Sequence, residues 1–173
     1  QSPIPQPAKP PKPRTITLEV MKTENFKKPT GTLLYFAYGS NLNLEDMKVR
    51  CPTARLLGAG RAEGHELMFR GHTPDTSFLT VVPSPDHFVP IAAFEVYEED
   101  IRALDDYEDV QDNIYRTETM TFSIEGHGEV EGFWYVMNGG DKLPPTQRYW
   151  DTVVQGYKDF HFDVKLLEEA LTR

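Results

Sequence analysis

The order of apolar and polar residues predicts a buried strand, a tight loop and a helix at the start of the ordered chain. Leu33–Ala37 is a continuous apolar run of strand length, and Gly39 follows it. Asn43 is a short polar residue of the type that caps helices, acidic residues follow it, and Pro52 ends the segment. We therefore expect a helix between Asn43 and Pro52.

The middle of the chain is predicted to be mostly sheet. Four stretches have strand-like composition, and clusters of Gly, Pro, Asp and Ser separate them. They are Ala54–Arg61, Glu66–Arg70, Phe78–Val82 and Val89–Tyr97.

Helices and a hairpin are predicted in the C-terminal half. Glu98–Asp106 reads as a short amphipathic helix, and Tyr115–Ile124 with Glu129–Val136 as a hairpin. Pro144-Pro145-Thr146 introduces a helix, and a terminal helix follows. The apolar face of the first helix is formed by Trp150, Val153, Val154 and Tyr157. That of the terminal helix is formed by Val164, Leu166, Leu167 and Leu171. The fold class is therefore α+β, without the regular βαβ alternation of a doubly wound sheet.

The N-terminal segment differs from the rest of the chain. Gln1–Pro13 contains six prolines, which block regular pairing and favour an extended polyproline conformation. The alternation in Thr15–Met21 suits either a short edge strand or a flexible segment. The composition of Gln1–Pro13 suits a tail or a linker, and a start at Gln instead of Met suits a fragment that the linker joins to an upstream domain. We divide the chain into a leader or interdomain linker at 1–31 and a domain at 32–173.

Composition narrows the possible partners and settings. The 173 residues, 39% hydrophobic and 26% charged, suit one soluble globular domain. A net charge of -9 gives no electrostatic reason to expect binding to nucleic acid or to an anionic membrane. The single cysteine, Cys51, and the lack of an apolar run of membrane-spanning length predict a cytoplasmic protein. No pair of Cys and His has the spacing of a metal site.

The loop Tyr38-Gly39-Ser40-Asn41-Leu42 is the first candidate for chemistry. It joins a predicted buried strand to a helix start, where amide N–H groups and partial positive charge suit a carboxylate or a phosphate. The loop equally suits an ordinary strand-to-helix turn with an asparagine cap.

Glu108 is the second candidate, because it lies just past a predicted helix, where a carboxylate can face a cleft. Acids are abundant in this segment, however, and each of them also suits a solvated surface position. Ser40 has no evident His/Asp relay, and Cys51 before a proline indicates a packed thiol. The residues therefore give no support for covalent catalysis.

Several ordered blocks stand out between about Leu33 and the C-terminus. The blocks are Leu34–Leu42, Arg50–Ala54, Thr80–Pro85, Leu104–Glu108 with Tyr115-Arg116, and Pro144-Pro145 with Tyr149 and Gly156-Tyr157. Their order and spacing resemble the gamma-glutamylcyclotransferase-like (AIG2-like) family, particularly its compact bacterial members. A set of ordered blocks is far more specific than one loop.

The resemblance implies a small mixed β-barrel with flanking helices and an enzyme that needs no cofactor. Such enzymes turn the alpha-amine of a gamma-glutamyl amine or amino acid on its own side-chain carbonyl and release 5-oxoproline. Glu108 would be the general acid/base. The substrate-binding residues would be Tyr38, Gly39, Ser40, Asn41 and Leu42 in the loop, with Tyr115 and Tyr149 shaping the pocket.

Two positions depart from the family pattern. Asp109 and Ile91 stand where glycine is usual in the family. The loop after Glu108 would be rebuilt if it needs a positive φ, and the pocket would be narrowed or altered near Ile91. These departures and the proline-rich leader also suit a noncatalytic metabolite-binding or accessory module of a larger protein.

Overall fold

The computed structural model describes residues 31–173. The proline-rich leader and the Thr15–Met21 segment lie outside the described residues, so the domain division stays a prediction. The strands are β1 (Leu33–Ala37), β2 (Arg55–Gly71), β3 (Phe78–Val96), β4 (Tyr115–Ile124), β5 (Gly128–Met137) and β6 (Asp141–Lys142). The α-helices of residues 31–173 are α1 (Leu44–Arg50), α2 (Glu98–Tyr107), α3 (Gln147–Asp159) and α4 (Lys165–Leu171).

The middle of the chain forms two long bent strands, so the prediction of four separate strands was wrong. β2 and β3 run antiparallel over almost their whole length, with register shifts at Leu56/Gly58 and Glu63/His65. Such irregularities let a strand bend and continue, and Gly64 takes a left-handed φ of 75° at the second one. The turn-like residues therefore mark bends rather than strand ends.

The sheet closes on itself as a five-stranded barrel. The strand order β3-β1-β5-β4-β2-β6 is completed by pairing between β3 and β2. β1 pairs antiparallel with β3 and parallel with β5, so the barrel is mixed. At the β2–β4 seam, a Cβ on Gly60 would lie 2.2 Å from the backbone oxygen of Ser123, so this close approach requires glycine. The predicted α+β fold with a small mixed barrel is confirmed.

The helices pack around the barrel and hold the loop after β1. The Asn43 side chain caps α1 by accepting from the Asp46 amide at 3.1 Å, as predicted. α3 passes so close to the loop that a Cβ on Gly156 would lie 2.7 Å from the Asn43 nitrogen. The helices of residues 31–173 lack the combination of length and apolar character that spanning a bilayer requires.

Candidate active site

A cavity of about 200 Å³ lies where the loop after β1 meets the C-terminal end of α2. Six of the eight tyrosines of the chain line it, together with one glutamate and the Gly-Ser-Asn loop. The wall consists of Tyr35, Tyr38, Gly39, Ser40, Asn41, Phe78, Leu79, Tyr107, Glu108, Asp109, Ile114, Tyr115, Tyr135 and Tyr149. Five stretches that are distant in sequence therefore form one site.

The side chains of the loop bind the cavity wall. Ser40–Leu42 forms a short 3-10 turn, and the Ser40 hydroxyl lies 2.8 Å from the Tyr107 hydroxyl. The Asn41 amide nitrogen donates to the Tyr35 hydroxyl at 2.9 Å, and its oxygen accepts from the Arg50 guanidinium. The loop is thus fixed from both sides of the cavity, an arrangement more specific than an ordinary strand-to-helix turn.

Glu108 caps the C-terminus of α2 and places its carboxyl in the cavity. Its amide donates to the Leu104 oxygen at 2.9 Å, which fixes the backbone at that point. Burial among the cavity walls raises the pKa of Glu108 from 4.5 to about 8, because an apolar environment disfavours the charged form. The positive charge of Arg50 lowers this pKa, and the negative charge of Asp109 raises it.

Asp109 keeps the backbone conformation for which glycine is the usual residue. Its φ of 49° and ψ of 45° lie in the left-handed region. Asp tolerates this region better than most residues, at a small cost in stability. The loop after Glu108 therefore retains a left-handed turn without glycine.

The Leu79 peptide group of β3 holds the two tyrosines predicted to shape the pocket. Tyr115 donates its hydroxyl to the Leu79 oxygen at 2.7 Å, and the Leu79 amide donates to the Tyr149 hydroxyl at 3.1 Å. The Tyr38 hydroxyl donates to the backbone carbonyl oxygen of Tyr135 at 2.5 Å. Burial raises the pKa of all four phenols far above neutrality, so they stay protonated.

Seven of the eight residues predicted for the site converge on the cavity, and Leu42 does not. The Leu42 side chain is fully buried in the core and does not line the cavity. Ile91 also lies in the core, paired across β2–β3 with Gly60, so the predicted narrowing of the pocket was wrong. Cys51 is buried, and its pKa is raised to about 12, which fits the predicted packed thiol.

The sequence interpretation missed Tyr35, Tyr107 and Tyr135 as cavity residues and Arg50 as a contact of the loop. The signal available was position: tyrosines cluster around the Gly-Ser loop and next to Glu108. A buried tyrosine needs a hydrogen-bond partner, and the polar loop side chains supply partners. The strand pairings that bring Tyr35 beside Tyr135 were not visible in the sequence.

The geometry suits proton transfer to a small polar ligand. A carboxyl that titrates near neutral pH can accept a proton from a bound molecule and return it. Residues 31–173 hold no group of three or more His, Cys, Asp and Glu side chains that could bind a metal ion.

Residues 35–152 match the family described as Gamma-glutamyl cyclotransferase, AIG2-like. This chain belongs to that family. It is 28% identical over 143 residues to a Gamma-glutamylcyclotransferase of Bos taurus, covering 79% of this chain and 76% of the relative. The enzyme of the same name from Homo sapiens is 27% identical over 149 residues, covering 80% and 79%.

A solved structure of a Gamma-glutamyl cyclotransferase shares the fold of this family member. The TM-score is 0.72 at 23% sequence identity, and the match covers 80% of this chain and 86% of that chain. At this level of identity the likeness concerns the fold. The barrel and helices described above thus have the same fold as that solved structure.

Proposed function

We propose that this protein cleaves the amide bond of a small gamma-glutamyl amine or amino acid by intramolecular cyclisation, releasing 5-oxoproline and a free amine. Membership of the cyclotransferase family supports the reaction type. The observation that carries the proposal is the Glu108 carboxyl, with a pKa raised to about 8 in a cavity beside the Ser40–Asn41 loop.

The reaction needs a base whose proton affinity matches that of an amine. The alpha-amine of the substrate is protonated near neutral pH and must lose a proton before it attacks. A glutamate with its ordinary pKa, about 4.3, is a weak base for this step. The environment of Glu108 makes its carboxylate a much stronger base, and the same group, once protonated, is a suitable acid.

The proposed steps balance without a cofactor or water. The Glu108 carboxylate takes one proton from the substrate ammonium, and the freed amine attacks the side-chain carbonyl carbon to close a five-membered ring. The ring nitrogen then gives up its second proton to the departing nitrogen, the proton on Glu108 passes to the same atom, and the carbon–nitrogen bond to the leaving group breaks. The products are 5-oxoproline and the protonated amine, and Glu108 is again a carboxylate.

We assign substrate positioning to the loop and the cavity tyrosines. Gly39, Ser40 and Asn41 face the cavity, and their polar groups suit the alpha-carboxylate of the gamma-glutamyl head group. Tyr38, Tyr115 and Tyr149 enclose the same space. Holding the amine against its own carbonyl carbon lowers the barrier by several kcal/mol, which is on the order of what oriented intramolecular reactions gain.

The two departures from the family pattern do not oppose catalysis. Asp109 preserves the left-handed turn, and Ile91 lies outside the cavity wall. Of the three observations that favoured a noncatalytic module, only the proline-rich leader remains, and it lies outside the described residues. A cytoplasmic setting and an upstream domain stay predictions from the sequence.

Turnover of a panel of gamma-glutamyl compounds tests the proposal. The purified protein is incubated with gamma-glutamyl amino acids and gamma-glutamyl amines, and 5-oxoproline is quantified by mass spectrometry. We expect multiple turnovers with at least one compound. Tight binding of a panel member without any 5-oxoproline would instead identify a binding module.

A further inference from the structure

Arg50, the last residue of α1, contacts both the loop after β1 and the C-terminal end of α2. Its guanidinium carbon lies 3.4 Å from the centre of the Tyr107 ring, a stacked cation–π geometry. A guanidinium nitrogen donates to the side-chain oxygen of Asn41. Arg50 does not itself line the cavity, so it acts on the cavity through these two residues.

The contacts of Arg50 complete a closed ring of four residues: Ser40, Asn41, Arg50 and Tyr107. Asn41 follows Ser40 in the chain, Ser40 contacts the Tyr107 hydroxyl at 2.8 Å, and the Tyr107 ring lies against Arg50. Tyr107 is 41% exposed and immediately precedes Glu108. Because core packing alone does not fix so exposed a ring, its position depends on Ser40 and Arg50.

We propose that Arg50 is a positioning residue of the cyclisation reaction, because it locks the Tyr107–Glu108 segment onto the Ser40–Asn41 loop. The inference rests on the proposed function, since the lock sets the geometry between the base and the substrate-binding loop. A planar guanidinium can stack on an aromatic ring and donate from its edge at the same time, and a lysine ammonium cannot. Arg50→Lys therefore keeps the charge and breaks the lock.

Arg50 also has an electrostatic effect on Glu108, which a purely structural side chain would lack. Of the charged groups that act on Glu108, Arg50 lowers its pKa and Asp109 raises it. Besides Tyr107 of α2, the other titratable groups facing Glu108 are phenols from β1, the loop after it, β4, β5 and α3. Burial raises the pKa of each of these phenols: Tyr35, Tyr38, Tyr115, Tyr135 and Tyr149. Arg50→Met removes the positive charge that lowers the pKa of Glu108 and leaves the negative charge of Asp109, which raises it. Glu108 should therefore hold its proton to higher pH.

The first test measures Glu108 without any substrate. The carbonyl stretch of the protonated carboxyl is followed by infrared spectroscopy against pH and isolated by subtracting the spectrum of Glu108→Gln. We expect Arg50→Met to move the titration midpoint up by about half a pH unit or more. Arg50→Lys should leave the midpoint near the wild-type value. The control is Arg102→Met, which removes an exposed cation of α2 paired with Glu98.

The second test measures turnover. Arg50→Met and Arg50→Lys should each lower kcat by about tenfold or more, because both misplace the base, whereas Arg102→Met should match wild type. The acid limb of kcat/KM should move to higher pH in Arg50→Met alone. Tyr107→Phe keeps the stacked ring and loses the contact with Ser40. It should lower kcat several-fold without moving the infrared midpoint, and it tests the lock even if Arg50→Met does not fold.

The outcomes separate this inference from the proposed function. If wild-type protein forms no 5-oxoproline, the proposed function fails, and the infrared titration still measures the coupling of Arg50 to Glu108. Folded Arg50→Met with a wild-type midpoint and wild-type kcat would overturn the role of Arg50. Wild-type kcat in both Arg50→Lys and Tyr107→Phe would overturn the lock.

Discussion

Replacing Glu108 with glutamine should stabilise the protein and inactivate it at the same time. Glutamine has the size and neutrality of the protonated acid, so the variant keeps the uncharged form at every pH. In wild type the pKa is about 4.5 in the unfolded chain and about 8 in the cavity. A carboxyl whose folded-state pKa is raised contributes stability below the unfolded value, and that contribution is lost as pH rises through the folded value.

The magnitude follows from the two pKa values of Glu108. One pKa unit corresponds to about 1.4 kcal/mol, so ionisation in the cavity costs about 5 kcal/mol above pH 8. At pH 7 the difference between wild type and Glu108→Gln is roughly 2–3 kcal/mol after a discount for the partial exposure of Glu108 to the cavity. In a domain of this size that corresponds to a rise in Tm of about 5–10 °C.

The assay compares thermal unfolding of the two proteins between pH 4.5 and 8.5. The Tm difference should be near zero at the acid end and grow steadily towards pH 8. At pH 7.5 Glu108→Gln should also lose turnover by about a hundredfold or more, because it cannot accept the proton of the amine. Asp106→Asn is the matched control, since Asp106 is an exposed acid in the last turn of α2. We expect it to change Tm by less than about 2 °C.

A Glu108→Gln protein that melts below wild type at pH 8 would refute the reasoning. That result would mean that the folded protein stabilises the carboxylate, and the raised pKa would be wrong. Turnover near the wild-type level in Glu108→Gln would refute the assignment of the base. Loss of activity in Asp106→Asn in its place would show that the catalytic carboxylate had been placed at the wrong position in the segment.

Three further predictions concern the same site. In wild type, kcat/KM should fall about tenfold per pH unit below roughly pH 8, because Glu108 must be ionised in the free enzyme, and a pH–rate profile checks this. Gly156→Ala should lower the free energy of unfolding by about 1–3 kcal/mol and lower turnover, since its Cβ would lie 2.7 Å from the Asn43 nitrogen. Thermal unfolding measures the first effect, and a 5-oxoproline assay measures the second. Asp109→Gly should raise stability by up to about 1 kcal/mol by relieving the left-handed φ, and denaturant unfolding measures it.

The sequence predicted the local elements of the fold well and the long-range pairings poorly. Leu33–Ala37 and the cap at Asn43 depend on nearby residues, so their pattern was sufficient. The bend near Gly64 resembled a strand end, because a bulge and a turn use the same residue types. Whether such a residue ends a strand depends on the partner strand, which the local pattern does not contain.

The same limit applies to the site. The family blocks pointed to Glu108 and the loop. Leu42 was predicted to bind substrate only because it belongs to the same motif, although its side chain is buried in the core. Arg50 lay in another block, and the sequence suggested no role for it. Its contacts with both Asn41 and Tyr107 appear only in the folded structure. Residues whose role arises from tertiary contacts in this way could not be found from spacing along the chain.

Burial explains why the pKa of Glu108 is raised in the cavity. The hydroxyls of Tyr38, Tyr115 and Tyr135 donate to other acceptors within the fold. Burial is the largest influence on the Glu108 pKa, and the charges of Arg50 and Asp109 follow. An ionised carboxylate in such a cavity loses the water that would solvate it. A substrate ammonium supplies the missing charge and donor together, so its binding should draw Glu108 into the ionised form that the first proton transfer requires.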